Sequence, residues 1–136
     1  MQNVLVDTNV FMRLFDLSDQ AQTARARNLF NKAAAGDITL IVGPPLLFEL
    51  AWVLRSALKL PNEEVLDVLQ AIIARQGVKV LDCDYAQAAI TLAREKNQGF
   101  ADAYLCITAQ KQNLKMATFN KTHFSQLGAE LYPLEG

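Results

Sequence analysis

Val4-Leu5-Val6-Asp7-Thr8-Asn9-Val10 is a short apolar run that ends on an acid and passes directly into a helical pattern. Strands buried on both faces of a parallel sheet read this way, as aliphatic runs without polar alternation. The chain beyond repeats the theme. Asn9 to Phe15 reads as a first helix, and Ser18 or Asp19 can cap a longer one that runs to Ala35, with Gly36 in the stop position. Thr39 to Val42 is β-branched and apolar, a second strand. Pro44 and Pro45 suit the first turn of the next helix, to about Leu58, where a missing N–H costs nothing. Asn62 followed by Glu63 and Glu64 is a capped, acidic helix start, with that helix ending near Gly77. Val78 to Leu81 is a third strand, and Asp84-x-x-Gln87 has the form of a capping box for a helix to about Lys96. Phe100 to Gln112 is helical with apolar residues on nearly every face, which predicts burial. Lys115 to Thr118 and Glu130 to Tyr132 read as a fourth and a fifth strand. Strands alternating with helices predict an α/β fold, a three-layer α/β/α sandwich on a mostly parallel sheet of four or five strands.

Composition narrows the function. The 136 residues, 51% hydrophobic and 20% charged, suit one domain over 1–136 with a sizeable core and exclude intrinsic disorder. Cys83 and Cys106 form no C-x-x-C pair, as expected of reduced thiols in a cytoplasmic protein. Met1-Gln2-Asn3 leads straight into the first strand without a secretory pattern. The apolar stretch from Ile41 to Leu54 is broken by Gly43, two prolines and Glu49, so no membrane span is expected. A formal charge of -1 argues against holding nucleic acid by global positive charge, but leaves room for a nucleic-acid enzyme with a local acidic site.

Connectivity suggests where such a site lies. In an open parallel sheet, ligands bind at the carboxyl ends of the strands. Asp7 ends the first strand and Asn120 follows the fourth; Glu49 lies about a turn into the helix after the second strand, and Asp102 in the first turn of the helix that feeds the fourth. All four map to one edge. At three and four positions along its helix Glu49 meets Pro45, Leu46, Trp52 and Val53, and Asp102 meets Gln98, Gly99, Leu105 and Cys106. Neither has a local cation, so something distant must compensate. Each acid taken singly is as well explained by a distant Lys or Arg, or by a helix start. Convergence of Asp7, Glu49 and Asp102 instead favours a shared hard cation, Mg²⁺ or Mn²⁺ rather than zinc, in a chain with one His.

Val4-Leu5-Val6-Asp7-Thr8-Asn9-Val10 resembles the opening of PIN-domain nucleases, especially VapC-type toxins of toxin–antitoxin pairs. The Glu49 helix start, Phe100-Ala101-Asp102-Ala103 and Ala117-Thr118-Phe119-Asn120-Lys121-Thr122-His123-Phe124 follow in the expected order and spacing, so the resemblance covers essentially the whole chain. It implies a Mg²⁺-dependent endoribonuclease with a compact acidic pocket, RNA as substrate, a homodimer, and inhibition by a small cognate antitoxin. Asp7, Glu49 and Asp102 match the family's three main acids as catalytic residues and metal ligands. The place of a fourth acid holds Asn120, which offers a carbonyl oxygen but no charge. Thr8 and Thr118 are auxiliary candidates for bonds to the acids or phosphate, with a strand-end turn the equal alternative. Asn9 is expected to cap the first helix or brace Asp7 rather than touch substrate.

Other residues carry plainer readings. Arg13 can reach phosphate from the first helix or pair with Asp16 or Glu49, and the ion pair is the preferred reading; His123, the one His, invites a general-base role, but beside Phe124 a structural or surface role is expected. Trp52, Phe100, Tyr104 and Phe119 can stack on bases, but their apolar surroundings favour core packing for most of them. Phe11, Met12, Leu14 and Phe15 give the first helix more apolar surface than one face can bury, an excess that suits either a dimer or antitoxin contact or ordinary core. The principal rival function is a PIN-like module that binds RNA or a partner without cutting. A haloacid-dehalogenase-type phosphatase ranks lower, because position 9 is Asn where a second Asp is needed.

Overall fold

The computed structural model describes residues 2–135. In chain order it contains β1 (Gln2–Leu5), α1 (Thr8–Met12), α2 (Gln20–Ala34), β2 (Ile38–Val42), α3 (Pro44–Ser56), α4 (Asn62–Ala74), β3 (Val78–Val80), α5 (Cys83–Lys96), α6 (Phe100–Lys111) and α7 (Lys121–Gln126). The sheet is parallel in the order β1-β2-β3, with Val4 opposite Leu40 and Leu40 opposite Val78. This is the expected α/β class. Central β2, Ile-Thr-Leu-Ile-Val, buries Leu40 and Val42 completely. Helix α2 packs on β2 and α4 on β3. Backbone bonds from Val6 N–H to Ile41 O and from Leu81 N–H to Val42 O carry the ladder just past the strand ends. Because the strands are parallel, the β1–α1, β2–α3 and β3–α5 junctions share one edge of the sheet.

The sheet is narrower than expected. Among the described residues, the predicted fourth and fifth strands contribute only an isolated parallel bridge, Met116 with Leu131. The physical reason lies in how α6 ends. Asn113 takes the left-handed conformation after the helix, and Leu114 N–H bonds Ala109 O. The chain leaving this turn pairs with its own tail: Met116 N–H donates to Glu130 O and Tyr132 N–H to Met116 O. β1 therefore keeps an open edge, and Leu5 is 73% exposed.

Two capping expectations also change. Asp19 does cap α2, accepting from Gln22 N–H at 2.9 Å. Asn62 does not cap α4; its side chain accepts from Arg55 and donates to Gln98 O, tying α3 and α4 to the α5–α6 turn. Gln87 does not complete a box with Asp84; it forms a reciprocal amide pair with Gln70 at 2.8 and 2.9 Å, across α4 and α5. Long-range partners satisfied both side chains better than the local backbone did.

The main core draws on α3, α4, α5 and the inner face of α6, where Phe100, Ala103 and Ile107 are buried. The outer face of α6 is not buried as predicted: Leu105 is 55% exposed. A second, smaller core joins Cys106, Phe124 and Leu127. Cys106 is fully buried, its Sγ donates to Leu127 O, and burial pushes its thiol pKa up. Cys83 is exposed. Titration of the native protein with a thiol reagent should therefore release one equivalent, the second appearing only on unfolding. Two fast equivalents would contradict the packing of α7 on α6.

Candidate active site

The β1–α1 junction places Asp7 at the N-cap position of α1, in extended backbone and with no side-chain cap bond. The β2–α3 junction turns at Gly43, and Pro44 and Pro45 open α3 as predicted. Glu49 follows one turn later. The two junctions enclose a hollow of about 290 Å³ lined by Leu5, Val6, Asp7, Thr8, Gly43, Pro45, Leu46 and Glu49. No Lys, Arg or His lines it. Buried Thr8 donates its hydroxyl to Glu49 Oε2 at 3.2 Å, fixing that carboxylate against α1. Both acids are exposed, so water solvates them and the expected burial cost is not incurred.

Asp102 does not line this hollow. On α6, Phe100 and Tyr104 both pack against Phe48, the neighbour of Glu49, with centroids 5.4 and 4.9 Å away. A residue two positions on from Phe100 faces about half a turn away at 3.6 residues per turn. Asp102 accordingly points off the Phe48 face and bonds His123 Nε2 through Oδ2 at 2.9 Å. Among the described residues, no group of three or more His, Cys, Asp or Glu is arranged to hold a metal ion. The structure thus brings Asp7, Thr8 and Glu49 together and leaves Asp102 with His123.

The remaining candidates divide similarly. Thr118 Oγ1 accepts from Asn120 N–H at 2.9 Å, the turn-forming alternative for that threonine. Asn120 is exposed at the start of α7 and makes no cap bond. Asn9 lies inside α1 rather than capping it, and its carbonyl accepts from Arg13 Nε at 3.4 Å. Arg13 pairs with Asp16 at 3.9 Å, as expected. Phe100 is core and Tyr104 packs on it. Trp52 and Phe119 are not core: they are 68% and 95% exposed, Trp52 one turn beyond Glu49 on α3. What sequence reading missed about His123 is its partner. Its contact with Asp102 spans 21 positions, and no local spacing announces it.

The donor set fits a hard divalent cation in part. Asp7 and Glu49 offer carboxylate oxygens at one solvent-open hollow with no competing cation, the chemistry Mg²⁺ or Mn²⁺ selects. Asp102 is not part of that pair in this arrangement. Among the described residues, no helix is long and apolar enough to cross a membrane. A family model described as PIN domain matches residues 4–130. No curated protein matches the chain significantly.

Proposed function

Because the chain belongs to the PIN domain family, over residues 4–130 of its 136, we propose that it is a Mg²⁺-dependent endoribonuclease, the toxin of a toxin–antitoxin pair. The family is one of nucleases that work with divalent metal ions. The observation that carries the finer reading is the hollow where Asp7 and Glu49 meet without a cation. The toxin role, the RNA substrate, a homodimer and a cognate antitoxin rest on the resemblance of the four sequence segments. The large apolar side chains left exposed at Trp52, Leu105 and Phe119 are compatible with a protein partner or second copy.

Asp7 and Glu49 would hold the ion, and Asp102, paired with His123 outside the hollow's lining, would serve as the third acid. A Mg²⁺ or Mn²⁺ ion held there would supply Lewis acidity toward the phosphodiester and make a nearby water easier to deprotonate. Glu49, steadied by the Thr8 hydroxyl, orients the attacking water and takes its proton. His123 holds the Asp102 carboxylate in one orientation, as partners of metal-site acids commonly do. Asn120, at the turn before α7, can donate its carboxamide N–H to a phosphate oxygen, while the Thr118 hydroxyl holds that turn by accepting from Asn120 N–H. Hydrolysis of a mixed RNA pool with Mg²⁺, and its loss in EDTA, tests the activity. Binding of the pool with equal breakdown in both conditions would leave an RNA-binding module instead.

A metal that binds only the folded chain must stabilise it. At ten times its dissociation constant the gain is about 1.4 kcal/mol, a rise in Tm of ~3–6 °C for a domain of this size. A thermal scan in millimolar Mn²⁺ checks this, and an unchanged melting curve would count against the Asp7–Glu49 site.

A further inference from the structure

Resting on that reading, we propose that the hollow between α1 and α2 is a subsite for the adjoining nucleotide of a single-stranded RNA. It measures about 450 Å³ and is lined by Asn9, Val10, Arg13, Gln22, Arg25, Ala26 and Leu29. Val10, Ala26 and Leu29 supply apolar surface on which a base can lie. The carboxamides of Asn9 and Gln22 each carry both donors and an acceptor, which suits a base edge. The planar guanidinium forks of Arg13 and Arg25 match phosphate oxygens.

The Arg25 charge is available. No acid lines the hollow, although the chain as a whole carries a formal charge of -1. Arg25 is exposed and has no hydrogen-bond or ion-pair partner among the described residues. Arg13 is more committed, pairing with Asp16 Oδ2 at 3.9 Å and donating from Nε to Asn9 O at 3.4 Å, so its fork must turn from the long Asp16 contact to meet a phosphate. Continuity with the acids adds the second argument. Asn9 follows Thr8, and two Cα steps place it at most ~7.6 Å from Asp7. A strand whose phosphate is drawn to a cation at Asp7 would have its neighbouring unit near Asn9. An acidic peptide would also answer the arginines, but it would leave the carboxamide rim without a purpose.

The test uses a fluorescein-labelled single-stranded RNA of about twelve nucleotides, of mixed sequence, in EDTA, so that binding is read by anisotropy without cleavage. Arg25→Gln lies on an exposed helical face and keeps a good helix former; Arg13→Lys keeps the charge and removes the fork. Loss of a charged contact should weaken binding by about tenfold in Arg25→Gln, and flatten the slope of log affinity against log salt by ~0.7. Arg13→Lys should weaken it less. Unchanged affinity and slope in Arg25→Gln overturn the proposal. So does a polyglutamate peptide that binds the wild type and is lost in Arg25→Gln while RNA binding persists. The two readings separate cleanly. Mg²⁺-dependent cleavage with binding indifferent to Arg25 removes only the subsite, and Arg25-dependent binding by a protein that never cleaves supports an RNA site here while removing the nuclease.

Discussion

Asp7→Asn and Glu49→Gln are each expected to abolish Mg²⁺-dependent RNA cleavage to within about a thousandth of the wild-type rate, with the fold intact. The magnitude follows from what the pair is asked to supply. Lewis-acid stabilisation of developing charge is worth several kcal/mol, and about 4 kcal/mol is three powers of ten in rate. The stability side runs the other way. Both carboxylates are exposed and line one hollow with no cation, so neutralising either relieves like-charge repulsion. Glu49→Gln still offers an oxygen to the Thr8 hydroxyl. Metal-free Tm should therefore hold or rise slightly in both variants, while the Mn²⁺-induced shift disappears. The double variant should be little worse than either single one, because the two act as a unit. Asp102→Asn should cost less, about 10–100-fold, if the acid serves the site from its place beside His123. Either of the first two variants cleaving at wild-type rate would remove the assignment.

Gly77→Ala is expected to destabilise the fold by ~2–5 kcal/mol and lower Tm by roughly 10 °C. Gly77 lies between α4 and β3 with φ of +83°, and a Cβ there would sit 2.3 Å from the Ala33 carbonyl oxygen and 2.5 Å from its carbon. That oxygen belongs to the backbone of α2, in its last turn, where Ala33 is buried. Nothing flexible can give way. The Gly77 carbonyl also accepts Leu40 N–H at 2.8 Å, so displacement of the turn disturbs the pairing of β2 with β3. Gly36→Ala is the matched control. Its φ is +85°, but nothing lies within 4 Å of the added carbon, so only the left-handed penalty of ~1–2 kcal/mol applies. Equal melting temperatures for the two variants would show that the contact with α2 is not tight.

The alternation of elements was legible because it depends on local signals. Ile38–Val42 is β-branched and apolar, Pro44 and Pro45 open a helix, and Gly36 and Asp19 punctuate another, all within a few residues of the features they decide. The parallel sheet followed, since helices between strands permit little else. Where two local readings competed with a distant partner, the distant partner won. Asn62 and Gln87 had the form of caps and instead bridge helices. Lys115 to Thr118 had the composition of a strand, but a strand is defined by its neighbour, and Met116 found Leu131 rather than β1.

The site divides along the same line. That Asp7 and Glu49 share one edge was contained in the chain order, because both follow directly from strand ends that parallel pairing must align. Where Asp102 points was not. Its direction depends on which face of α6 packs inward, and that was settled when Phe100 and Tyr104 seated against Phe48 and turned the carboxylate toward His123. Sequence alone determined the class of fold, the βα junctions and the acids they carry, since these arise from interactions a few residues long. Tertiary structure alone decided the width of the sheet, the partners of Asn62 and Gln87, and the rotation of α6. Each is a choice between surfaces far apart in the chain, and packing free energy rather than local propensity makes that choice.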